Sequence, residues 1–285
     1  MSNPDKLSPS PLVKARSYVV KDAPVGTLVS NRTDFYHKAQ DTRLKNRKID
    51  DIDFNNIQFS LLNQDQLDAA VATTVILAHH SIDESRELSY YRPDHELTTT
   101  GVDAGYYRFR QYGILRAYLE ISRRINRDKF ALQLKEIRKE REDEQPIQVP
   151  LVQHLTEAAM QSIDSMFFYI YFAADVKETE LKKLLKGFAV DQHHLTAFLL
   201  SRVQTELTED PQSLEQVDAV LLDFEPYGQA FDPDFEAHRA AMLKVSPLGL
   251  VRADFIRKTV KKLAGEEHLP YLEKQRPFRE KLLAA

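Results

Sequence analysis

The segment MFFYIYFAA, residues 166–174, is the longest unbroken apolar run in the chain and the feature that constrains the fold most. Wound as a helix it points Phe167, Phe168, Tyr169, Ile170, Tyr171 and Phe172 in every direction around the axis, and such a helix leaves no face for water. Other elements must enclose it, so residues 151–174 are expected to form the central helix of a core. The run is nine residues long, about half of what a membrane-spanning helix needs.

A second long helical stretch covers residues 103–141. Ile114, Tyr118, Ile121 and Ile125 recur at steps of four, three and four, which sets them along one side of a helix. Arg116, Glu120, Arg123 and Arg127 follow the same steps two residues out of phase, so one face reads as apolar and the other as arginine-bearing. The apolar phase restarts at Phe130, Leu134 and Ile137. The five-residue jump from Ile125 to Phe130 predicts a kink or a short loop near Asn126.

Further helices are expected at residues 64–88, apolar over much of their circumference, at 177–186 up to Gly187, at 190–207, at 214–224 and at 234–244. A last one is expected at 250–264, with Gly265 after it and Arg257, Lys258, Lys261 and Lys262 toward its negative dipole end. Asp210-Pro211 and Asp232-Pro233 mark helix starts, because proline tolerates the first turn, where its missing amide costs nothing. Residues 90–101, with Pro93, three threonines and Gly101, read as a loop. Residues 1–55 lack helical periodicity; Ser8-Pro9-Ser10-Pro11 opposes regular structure, and two short extended runs flank Asp22-Ala23-Pro24. The fold class expected is mainly α: an irregular helical bundle over residues 56–285, hinged near 142–150 between Pro146 and Pro150, with an N-terminal extended arm or small hairpin over 1–55.

The chain has 285 residues, 42% of them apolar, and no cysteine. That length buries a core without covalent staples. The missing sulfur excludes disulfides, thiolate zinc sites, iron–sulfur clusters and cysteine nucleophiles together. The opening MSNPDKLSPSPL has no apolar core of the signal-peptide kind, so a cytoplasmic protein with no membrane span is expected. Charge is uneven. Residues 1–141 carry 23 basic and 19 acidic side chains and residues 142–285 carry 16 and 24, giving +4 and −8. Such asymmetry lets two copies, or the two halves, attract each other.

Three constellations could carry function. His80, Glu84 and Glu87 share a helix face at steps of four and three, His154, Glu157, Gln161 and Asp164 do so at three, four and three, and Asp191 and His194 add a pair. Metal-binding bundles use histidines and carboxylates in this way, but usually as two Glu-x-x-His pairs, and that order is absent. Solvated polar faces explain the spacing equally well in a chain with 29% charged residues, so no metal or cofactor is expected. If a metal is held, its ligands come from His80, Glu84, Glu87, His154, Glu157, Asp191 and His194.

The second constellation interleaves Tyr106, Tyr107, Phe109, Tyr112 and Tyr118 with Arg108, Arg110, Arg116, Arg123, Arg124 and Arg127, a mixture that can stack on bases and neutralise phosphates. Residues 106–129 hold seven basic and two acidic side chains. An acidic protein surface matches the arginines as well as a nucleic acid does, and no nucleic-acid fold signature accompanies them. The third is a catalytic carboxylate pair, which 43 acids leave impossible to single out; there is no Gly-x-Ser-x-Gly, phosphate loop or dinucleotide fingerprint. The expected function is therefore a non-enzymatic protein-interaction or assembly component, self-associating as a homo-oligomer, with Arg108, Arg110, Arg116, Arg123 and Arg127 as its interaction residues. A metal-dependent helical-bundle enzyme is the alternative, and nucleic-acid binding through the Arg/Tyr-rich helix is the third reading.

Overall fold

A computed structural model of the protein describes residues 55–88, 95–123, 149–224 and 235–246, together with Asp53 and positions 126, 128, 130–132 and 135. Of the described residues 87% are helical and none is in a strand, which makes the fold mainly α. The helices are α1 (Gln64–Leu88), α2 (His95–Ile121), α3 (Leu151–Asp175), α4 (Thr179–Glu209), α5 (Leu214–Asp223) and α6 (Phe235–Val245). The expected arm over residues 1–55 apart from Asp53 and Asn55, the expected hinge near 142–150 apart from Val149 and Pro150, and the expected helix at 250–264 lie outside the described residues.

The apolar run takes the central position but is not enclosed all round: Ile170 is 44% exposed and Tyr171 half-buried. On α3, Phe168, Tyr169, Phe172 and Ala173 join one core cluster, while Leu155, Ala159, Met160, Ile163, Met166 and Phe167 join a second. The first is closed by α1, α2, the N-terminal half of α4 and α6; the second by the C-terminal half of α4, by α5 and by Ala104 of α2. A three-residue link, 176–178, turns α3 back into α4 as a helical hairpin. Tyr169 meets Phe188 edge-on across it, 5.4 Å between ring centroids. α1 packs against α2 and α6, and Lys244 of α6 reaches Asp65 of α1 at 2.8 Å.

Three local expectations differ from what forms. α2 begins at His95, inside the segment read as a loop, so the threonines and Gly101 are helical. Low intrinsic propensity is overridden there by what the rest of α2 buries. α4 runs unbroken from Thr179 to Glu209 through Gly187, where two helices were expected. Leu184, Leu185, Phe188 and Ala189 flank the glycine and are all buried, so packing outweighs a glycine cost of about 1 kcal/mol. α2 itself ends at Ile121, earlier than Ile125. Arg123 adopts φ 55°, the left-handed conformation usual for a glycine just past a helix, and its amide donates to Glu120 O at 3.0 Å. The expected break near Asn126 is there: Asn126 Oδ1 accepts from Asp128 N at 3.1 Å, and its carbonyl accepts from Phe130 N at 2.9 Å, restarting a helix.

Candidate docking face on the outer side of α2

α2 has an inner and an outer side, and the inner side differs in phase from the sequence expectation. Ala104, Tyr107, Gln111, Ile114, Leu115, Tyr118 and Leu119 are buried. Ile121, expected beside Ile114 and Tyr118, is 46% exposed. The buried stripe is centred on Gln111, Leu115 and Tyr118, and Ile121 falls on its edge, where the helix ends before any neighbour covers it.

Two polar nodes hold this inner side. Glu178, fully buried, caps α4: its carboxylate accepts from Leu181 N at 2.7 Å and Glu180 N at 3.2 Å. Tyr118 Oη donates to the same carboxylate at 2.9 Å, and Gln58 N does so at 3.4 Å. Phe59 packs edge-on against Tyr118 at 5.5 Å. One carboxylate thus fastens α2, α4 and the segment entering α1. The second node is Asp191 on α4, whose Oδ2 accepts from Gln111 Nε2 at 3.2 Å. Burial pushes the Asp191 carboxyl up to about 6, against the lowering effects of the Arg110 charge and the Gln111 hydrogen bond.

The candidate metal ligands whose side chains are described, His154, Glu157, Asp191 and His194, do not form a unit. His154 is buried and burial pushes its imidazole down to about 4, while Glu157, one turn on, is exposed. Asp191 is buried and His194 half-buried, and His193 beside it is exposed. Among the described residues no three His, Asp or Glu side chains converge where an ion could sit. His80, Glu84 and Glu87 belong to α1, with side chains outside the described residues.

The arginines do not share one face either. Arg108, expected at the surface, is 2% exposed and among the largest fully buried side chains; three residues before Gln111 and seven before Leu115, it lies on the buried stripe itself. Arg110 is half-buried with Nε and Nη1 inside. Arg116 pairs with Glu120 at 2.7 Å and stands over the Tyr112 ring at 5.9 Å. Arg123 is exposed in the turn after α2, and the Arg127 side chain lies outside the described residues.

The outer side mixes apolar and charged residues: half-buried Glu120 lies about 20° from Gly113 around the axis, and half-buried Arg110 and Arg116 about 60°. Tyr106 is 38% exposed and Phe109 57%. Gly113 is exposed, and a Cβ built on it meets nothing within 4 Å. Ala117 is half-buried and continues the line to Ile121. At about 100° per residue, Tyr106, Phe109 and Ala117 all lie within about 40° of Gly113 around the axis. In the sequence Tyr106 and Phe109 stand out only as members of an aromatic–arginine mixture. Their 3, 4, 4 spacing with Gly113 and Ala117 is the signal of a separate stripe, but a glycine and an alanine give it too little hydrophobicity to register.

Among the described residues no helix is long and apolar enough to cross a membrane. Comparison with family models, with curated proteins and with solved structures finds no match for the chain.

Proposed function

We propose that the protein is a non-enzymatic interaction or assembly component and that its docking face is the outer side of α2. The observation that carries this reading is the exposure of Tyr106, Phe109, Gly113 and Ile121, with half-buried Ala117 among them, on a helix whose opposite side is core. Single exposed apolar residues are ordinary; two exposed aromatics on one helix face, beside the Arg116–Glu120 pair, have the makeup of an interface centre and rim. Aromatic side chains at such a centre supply most of the binding energy of an interface. The arginines named from sequence keep one place in this reading: Arg116 and Arg123 border the stripe, while Arg108 and Arg110 serve the interior.

The experiment is photo-crosslinking in the cells that make the protein. A photoreactive side chain at position 109 is expected to give a discrete protein adduct, and the same group at position 187, an exposed site on α4, is expected to give none. Equal labelling at both positions, or none at 109, overturns the proposal.

A further inference from the structure

The segment that leads into α1 lies across a fully buried polar node but is itself fastened lightly. We infer that residues 55–62, with Asp53, form a strap that opens as one unit while the helices stay folded, and that its opening uncovers the Tyr118–Glu178 node. None of these strap residues is buried. Ile57, Phe59 and Leu62 are partly buried against the first core cluster, and Phe59 sets its ring edge-on to Tyr118 at 5.5 Å. Tyr118 and Glu178, by contrast, are both 0% exposed.

The hydrogen bonds at the node divide between bundle and strap. Glu178 Oε2 accepts the short ones, from Leu181 N at 2.7 Å and from Tyr118 Oη at 2.9 Å. Both donors sit on helices, so this oxygen stays engaged when the strap leaves. Glu178 Oε1 accepts from Glu180 N at 3.2 Å and from Gln58 N of the strap at 3.4 Å. The other bond that crosses is Asp53 N to Glu180 Oε2 at 3.2 Å. Among the described residues, these two long bonds are the whole polar attachment of the strap to α4. Its other bonds are internal and travel with it: Asn56 N donates to Asp53 O at 3.0 Å, Leu61 N to Gln58 O at 2.9 Å and Leu62 N to Phe59 O at 3.2 Å.

The start of α1 stops the opening from spreading. Asn63 Oδ1 accepts from Gln66 N at 2.9 Å while Gln66 Oε1 accepts from Asn63 N at 3.1 Å, a reciprocal cap. Gln66 Nε2 also donates to Asp175 Oδ2 at 2.8 Å and to Asp175 O at 3.1 Å, which pins this end of α1 to the end of α3. The hinge therefore falls between Leu62 and Asn63. Three part-buried side chains and two long bonds hold far less than the packed helices do, so the strap opens at lower free energy than the bundle and exposes little surface in doing so. Because the strap joins residues 1–52 to the helices, a ligand or a pull on those residues acts on it first.

The experiment is native-state amide hydrogen exchange on the full-length protein in low urea, with carbodiimide labelling of carboxylates in parallel. Expected is exchange at Asn56, Gln58, Leu61 and Leu62 at least about a hundredfold faster than at the slowest amides of α3 and α4, after correction for intrinsic rates, and nearly independent of urea where theirs is steep. Phe59→Ala removes the ring from Tyr118 and should speed strap exchange at least about tenfold with an unchanged helical signal. Glu178 should become labelled in step with that change while Asp191, buried inside the bundle, stays unlabelled. Strap amides that share the rate and urea slope of α3 and α4 overturn the inference, because the strap is then part of the cooperative core. Exchange at free-chain rates in the wild type overturns it from the other side, since no closed strap exists. Glu178 left unlabelled while the strap amides exchange refutes the uncovering of the node.

Discussion

Asp191 and His154 are both buried, yet they act on stability in opposite directions with pH. The Asp191 carboxyl rises to about 6 through desolvation, so the folded protein holds a proton there that the unfolded chain has released. Its contribution is greatest below about pH 4 and is lost as pH rises through 6, up to about 3 kcal/mol. His154, lowered to about 4 by burial, is neutral in the fold; its contribution is complete above about 6.5 and is lost as pH falls toward 4, again about 3 kcal/mol. Urea unfolding at pH 4.5 and 7.5 separates them. Asp191→Asn should gain on the wild type as pH rises, since Asn keeps an acceptor for Gln111. His154→Gln should lose less stability than the wild type on acidification. A wild-type pH slope in either variant contradicts the assignment. Glu178 is a residue whose loss touches three elements at once. Glu178→Ala removes a helix cap and leaves Tyr118 Oη without its acceptor, which should cost about 2–4 kcal/mol; Tyr118→Phe should cost about 1 kcal/mol. Equal costs in the two denaturation curves would contradict the capping role.

Among the elements, α4 shows how packing overrules a local signal. Gly187 is exposed and in mid-helix, and a Cβ there meets nothing within 4 Å. Gly187→Ala should therefore stabilise the protein by about 0.5–1 kcal/mol, seen as a higher thermal midpoint with unchanged helical signal; a lower midpoint would mean that α4 needs the glycine to bend. The boundaries of α1, α3, α5 and α6 were legible to within a residue or two because their apolar spacing and flanking prolines are local facts. The start of α2 was not legible, since threonines and a glycine give no helical signal and the reason they wind is the packing of residues 104–119. The phase of α2 was misjudged for a related reason. Ile114, Tyr118 and Ile121 satisfy helical spacing, but so do Gln111, Leu115 and Tyr118, and only the surrounding helices choose between two stripes that share residues.

For the molecule as a whole, α3 and α4 run through both core clusters, so neither cluster can melt while the other keeps its helices. Leu155→Ala in the second cluster and Phe172→Ala in the first, both fully buried, should each cost about 3–5 kcal/mol. Each should shift one shared transition when far-ultraviolet dichroism and amide exchange at the two ends are followed together. Two separated transitions would show the clusters to be independent units. The candidate site was less legible than the fold. The arginine-rich stretch was visible in sequence, but sorting its members into buried Arg108, half-buried Arg110, paired Arg116 and exposed Arg123 needed the neighbours of α2. The sequence by itself determined that the chain is helical, that residues 151–174 lie at its centre and that no thiol chemistry is available, because periodicity, all-round apolarity and composition are properties of the chain alone. Only the tertiary structure decided which side of α2 faces outward and that Tyr106, Phe109 and Gly113 are exposed on it, because exposure depends on what the rest of the chain packs against and no local pattern contains that.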